Sequence, residues 1–201
     1  MRFYNYLNEY FYIENPKVIS ELKKCKPFIN DLLKCKPFSL LYSGRRTSEN
    51  WFVKNVRKDR KPRDMKIEIH NILDEVFYEK FGIKARSQTI FTTPNYNQTK
   101  TYTGTAGSAY IIFPMGEYEI IWSDRIYDLY GEIVGMYSKT KKDFSEFVGE
   151  YYQKGNLCNA IRSKTEIMLY CNRYVAIKAS REFEYAGSQA MEEIKNLLGD
   201  L

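Results

Sequence analysis

The chain has 201 residues, 44% apolar and 16% aromatic, which is ample for one packed domain and argues against disorder. It carries a net charge of +6, a single histidine (His70) and four cysteines without CxxC spacing, which argues against a zinc site and a His-dependent triad. No run approaches the ~20 apolar residues of a membrane span, and residues 1–16 lack a signal-peptide core, so a cytoplasmic protein with reduced thiols is expected.

Residues 1–14 are aromatic-rich and read as a short helix packed on the body. From Pro16 the spacing of Val18, Ile19 and Leu22 is helical, with Asn15 as N-cap. Cys25-Lys-Pro-Phe recurs ten residues on as Cys35-Lys-Pro-Phe, with Ile29, Leu32 and Leu33 between. This predicts two short helices, each stopped ahead of a proline, and no solenoid repeat. Residues 38–42 (FSLLY) read as a buried strand ended by Ser43-Gly44, followed by Arg45-Arg46.

Residues 54–66 hold seven Lys/Arg against two Asp, a basic segment read as a solvated loop and helix flank that also suits a polyanion. A helix follows over 63–81, where Met65, Ile69, Ile72, Leu73, Val76, Phe77 and Phe81 keep the i, i+3, i+4, i+7 rhythm. Gly82 stands where a left-handed cap is needed. His70 reads as a helix-flank residue.

Residues 87–93 are β-branched, aromatic and hydroxyl-rich, and read as a strand that breaks at Pro94-Asn95 into a polar, Gly-punctuated segment. Residues 109–113 and 118–122 read as a hairpin about Met115-Gly116-Glu117. Ser123-Asp124 reads as the cap of a short helix through Leu129, and 139–153 as an amphipathic helix. Strands over 166–171 and 173–179 bend at Asn172-Arg173, and 188–198 reads as a closing helix. The pattern is α+β, one domain over 1–201, with a helical segment over 1–37 and the core over 38–201.

No Walker loop or GxGxxG is present, and nothing points to a glycosidase carboxylate pair. Cleavage of the nicotinamide–ribose bond of NAD needs neither histidine nor metal. It needs an aromatic ring for nicotinamide, hydroxyls and an arginine for ribose and phosphates, and one carboxylate. This chain has all of these. Glu166 heads an otherwise apolar strand, although a strand-start glutamate paired with a lysine has the same appearance.

The order of LYSG (41–44), RSQTIFTT (86–93) with a later TY (101–102), and TEIMLYCNRYVAIK (165–178) resembles the ADP-ribosyltransferase family, in particular its bacteriophage members. The resemblance covers roughly residues 38–180 and implies a split β-sheet core, with NAD as substrate and no metal. It implies Glu166 as the catalytic carboxylate, heading its strand as in the EYIVYD of the poly(ADP-ribose) polymerase type. Phe91, Thr92 and Thr93, on the strand that starts at Ser87, would replace the Ser-Thr-Ser strand beside nicotinamide. Tyr102 would stack on nicotinamide, with Tyr96 as fallback. Tyr42 and Ser43 would end the first strand at NAD, and Arg45 or Arg46 would meet the pyrophosphate.

Ser43 stands where many family members carry arginine, and Lys164 where arginine-modifying members carry a glutamate or glutamine. Glu182 and Glu184 follow the strand pair instead of opening it. The function implied is mono-ADP-ribosylation of a host protein or nucleic acid in the cytoplasm. A non-catalytic binding protein on the same fold is the alternative.

Overall fold

The computed structural model describes residues 15–36, 38–62, 65–103, 107–136 and 139–179. The helices expected over 1–14 and 188–198 lie outside them, as do Glu182 and Glu184. The described residues form a mixed α/β fold, with eight helices and an open six-stranded antiparallel sheet.

Two short helices open it, α1 (Pro16–Lys23) and α2 (Lys26–Lys34). The Asn15 side chain accepts from the Lys17 N–H at 3.0 Å, and Pro16 sits in the first turn of α1, both as expected. Pro27 lies in the first turn of α2, so it starts the second helix instead of stopping the first. Phe28 of α2 meets the rings of Phe113 and Tyr118 edge-on. The Tyr118 hydroxyl donates to Asp31 at 2.8 Å.

The strands are β1 (Tyr42–Arg45), β2 (Trp51–Asn55), β3 (Ile90–Thr92), β4 (Ser108–Trp122), β5 (Gln153–Lys154) and β6 (Ile167–Lys178). β4 and β6 pair along almost their whole length, from Tyr110 opposite Lys178 to Trp122 opposite Ile167. The expected hairpin over 109–122 and strand pair over 166–179 are therefore corrected to two long strands lying against each other. The turn signal at Gly116-Glu117 is a bulge: the register shifts between Met115 and Tyr118. Gly116 takes φ +68°, and its N–H donates to the Lys24 carbonyl at the end of α1. β1 flanks one end of β4, and β2 flanks the corresponding end of β6; β5 and β3 flank the opposite ends. β2 has no counterpart among the expected strands.

The remaining helices interleave with the strands. α3 (Ile67–Phe81) begins four residues later than its periodicity predicts and ends on Gly82 in the left-handed region, φ +75°. α4 (Ala85–Gln88) takes the first two residues of the expected 87–93 strand. α5 (Tyr96–Thr103) replaces the expected polar loop; the Asn95 side chain accepts from the N–H groups of Asn97 and Gln98 and caps it. α6 (Leu129–Val134) begins where the Ser123-Asp124 helix was expected to end, because Asp128 supplies the cap and Ser123 only closes a turn. α7 (Lys141–Tyr151) starts on a Thr140–Asp143 capping box, and α8 (Leu157–Ser163) on Asn156.

One apolar cluster packs α1, α2 and α8 on the sheet, and a second packs α3, α6 and α7. Cys35 and Cys158 form a disulfide between the end of α2 and α8, which corrects the expectation of four reduced thiols. Their separation of 123 residues hides that pairing from any spacing rule. Cys25 and Cys171 are free, and burial pushes both thiols up to about 12. No helix among the described residues is long and apolar enough to cross a membrane.

Candidate functional site

β1 and β3 come together at one point. Tyr42 and Thr93 exchange backbone hydrogen bonds at 2.8 and 2.9 Å, and the Ser43 hydroxyl donates to the Phe91 carbonyl at 2.8 Å. On its other edge β3 pairs with the start of β6, where the Thr92 hydroxyl donates to the Ile167 carbonyl at 2.9 Å. Beside this junction lies a cavity of about 430 Å³, within the range of small-molecule sites. β1 and β3 line it, together with the 57–62 loop after β2, α4 and Glu166 ahead of β6.

Glu166 is held by its backbone, whose N–H donates to the Tyr127 carbonyl at 3.1 Å. Its Oε1 is fully buried and has no hydrogen-bond partner. Burial pushes the carboxyl up to about 7, against the pull of Arg86 and Arg60 and of a hydrogen bond from the Leu129 backbone; Asp128 adds to the upward push. A carboxylate titrating near neutrality in a cleft, with one oxygen unengaged, is available to a ligand hydroxyl.

Arg86, Arg60 and Arg45 line the same cavity. Arg86 rides on α4, a single turn too short to hold itself. Asp74 of α3 accepts from the N–H groups of Arg86 at 2.7 Å and Ser87 at 3.2 Å, and from the Ser87 hydroxyl. Arg60 is fastened by its N–H to the Ser87 carbonyl at 3.4 Å. Its guanidinium and that of Arg86 each lie 4.5 Å from the centre of the Phe91 ring. Burial first, then the like charges of Arg45 and Arg86, pull Arg60 down to about 10. Arg45 lies 5.7 Å from the Tyr174 ring centre, and its Nε, like that of Arg86, is buried without a partner. His70 faces Asp74 at 3.5 Å, and burial lowers its pKa, so it serves as a neutral wall residue.

Of the candidate residues, Tyr42, Ser43, Arg45, Phe91, Thr92, Thr93 and Glu166 line this one cavity. Arg46 is exposed and does not line it, and Ser87 is spent on Asp74. Tyr102 falls on α5, with its side chain outside the described residues; Tyr96 packs edge-on against Tyr42, 5.5 Å between ring centres. The basic 54–66 segment is not one solvated patch. Lys54 lies on β2, while Arg57, Arg60 and Lys61 line the cavity.

Arg60, Arg86, Asp128 and Tyr130 were not candidates in the sequence. They come from loops and helix starts, which carry no periodic signal; the short basic run around Arg60 was the one available cue. Among the described residues, no group of three or more His, Cys, Asp or Glu is placed to hold a metal ion. No protein-family model, curated protein or solved structure matches the chain, so the cleft stands on its own chemistry.

Proposed function

We propose that the chain is an NAD-dependent mono-ADP-ribosyltransferase of the bacteriophage type, with the corresponding split-sheet fold, acting on a host macromolecule in the cytoplasm. The observation that carries this reading is Glu166: a carboxylate with a buried, unpartnered oxygen at the head of β6, in one cleft with Arg45, Arg60 and Arg86. The cavity is large enough for much of a dinucleotide, and its cations suit a pyrophosphate.

In the reaction the C1′–nitrogen bond of NAD breaks, and its electron pair leaves with nicotinamide. An acceptor lone pair forms the new bond at C1′, and the acceptor proton passes to solvent. Ionised Glu166 accepts a hydrogen bond from a ribose hydroxyl and stabilises the positive charge that develops at C1′. Arg45, Arg60 and Arg86 hold the phosphates and fix the ribose for attack. The β1–β3 junction presents Phe91, Thr92 and Thr93 on the nicotinamide side.

A second reading, a binding protein without turnover, draws on two observations. Ser43 is engaged with Phe91, and Lys164 is an exposed left-handed residue ending α8, so neither supplies the family's usual contact. Incubating the protein with nicotinamide-labelled NAD and a host extract separates the two. The transferase releases nicotinamide and the Glu166→Gln variant does not, whereas the binding protein retains intact NAD in both forms.

A further inference from the structure

Five cations line the cavity, Arg45, Arg57, Arg60, Lys61 and Arg86, against the two carboxylates Glu166 and Asp128. The excess is three positive charges. NAD brings two phosphate charges and one cationic nicotinamide, so it neutralises only one of the three. Among the described residues none of the three inner arginines forms an ion pair, and the Nε atoms of Arg45 and Arg86 are buried without partners. Like charges that outnumber their counter-charges oppose one another, and a second anionic ligand relieves them.

The remaining charge sits where an acceptor must enter. Arg57 and Lys61 are exposed, and among the described residues Arg57 pairs only with exposed Asp59, at 3.8 Å, a contact of little strength. Near the reacting carboxylate, Tyr127 is 52% exposed and Tyr130 is 36% exposed. They flank cavity-lining Asp128, and the Tyr127 carbonyl holds the Glu166 backbone. Exposed cations lining a cleft, with exposed aromatic residues on the chain either side of its Asp128, fit a chain of phosphates carrying bases that can stack. The acceptor atom must also reach a carbon held beside a buried carboxylate. A base inside a duplex does not reach that depth, and a splayed base of a single strand does.

We propose that the acceptor is a single-stranded nucleic acid, with phosphates on Arg57 and Lys61 and a base stacked on Tyr127, so that one nucleotide enters the cleft at Glu166. The transfer step rests on the ADP-ribosyltransferase reading; the binding does not.

The test uses fluorescence anisotropy of a labelled mixed-sequence oligonucleotide, single-stranded and as duplex, with the whole protein over a salt series. The single strand binds more tightly than the duplex, and its log affinity falls against log salt with a slope of about −1.4, two phosphates at about −0.7 each. The double variant Arg57→Gln/Lys61→Gln loses about tenfold in affinity and most of that slope. Tyr127→Ala loses about tenfold with the slope unchanged. These side chains are exposed, so an unchanged thermal midpoint certifies the fold. Salt-insensitive binding, tighter binding to duplex, or equal binding to an acidic peptide overturns the proposal.

Labelled NAD in a host extract then separates the two claims. Label removed by nuclease supports both. Nicotinamide release with label on protein overturns this inference and leaves the transferase reading standing. Oligonucleotide binding as described, with no NAD cleavage, does the reverse for binding.

Discussion

Glu166 is the residue on which the account turns, because its surroundings oppose its charge. Its folded pKa, about 7, stands above the ordinary carboxylate value, so the folded state holds a proton that the unfolded state gives up between about 4.5 and 7. The stability penalty is therefore absent at acid pH, grows as pH rises through that window, and is complete above about 7. Glu166→Gln removes it. Above pH 7 the variant is expected to be more stable by on the order of 2–3 kcal/mol, and near pH 5 the gain shrinks toward zero. Thermal midpoints of the two proteins across that range check this; a difference independent of pH would contradict it. On the proposed transferase reading the same titration sets activity, since the ionised form is the stabilising one: kcat/KM rises with pH through about 7. The glutamine variant turns over about a hundred- to a thousandfold more slowly. Glu166, Tyr42, Arg45 and the 91–93 triplet came forward through the family resemblance, and they line one cavity at the ends of their strands. Arg60 and Arg86 were not, because their direction is set by Asp74, Ser87 and Phe91, contacts made across the fold.

At the scale of elements, α4 shows how a single turn is made rigid. Its start has no cap of its own; Asp74, a helix away, receives two of its N–H groups and a hydroxyl. Asp74→Asn exchanges an acceptor for a donor that faces other donors, at a cost of about 1–3 kcal/mol, and frees Arg86 to wander. The expected outcome is a rise of about tenfold in KM for NAD with a smaller change in kcat, read from steady-state kinetics; a loss confined to kcat would contradict a positioning role. β1 and α5 touch in an equally specific way, since a Cβ at Gly44 would run into the Thr103 γ-methyl. Gly44→Ala is expected to cost about 1–3 kcal/mol in denaturant unfolding, and a neutral result would mean that α5 rests less closely on β1 than described. α5 escaped sequence reading because Thr, Asn and Tyr are poor helix formers, and its capping residue Asn95 follows a proline that signals a turn. The bulge between β4 and β6 escaped for a related reason. Met-Gly-Glu has the composition of a reversal, and only the pairing partner decides that the strand goes on.

The described residues form two apolar layers packed on one sheet, and their largest departure from expectation is covalent. The Cys35–Cys158 bond closes a loop of 123 residues, which in the chain-entropy description stabilises the fold by about 4–5 kcal/mol. Thiol titration in denaturant is expected to find two free thiols, Cys25 and Cys171; four would contradict the bond. A cytoplasmic site of action and a formed disulfide pull in opposite directions, since that compartment keeps thiols reduced. Counting thiols on protein taken directly from host cells decides between them. The α+β class and the helices α1, α2, α3 and α7 were legible from periodicity and caps, which are local. Sheet order, the disulfide and the charge of the cleft depend on residues far apart in the chain, and no local pattern carries them.

The most direct measurement is the rate of nicotinamide release from labelled NAD by the purified protein at pH 8, with host extract as acceptor and Glu166→Gln alongside. The account predicts release by the wild type and release at least about a hundredfold slower by the variant. Equal release by both, or none from a folded protein that binds NAD, would contradict it.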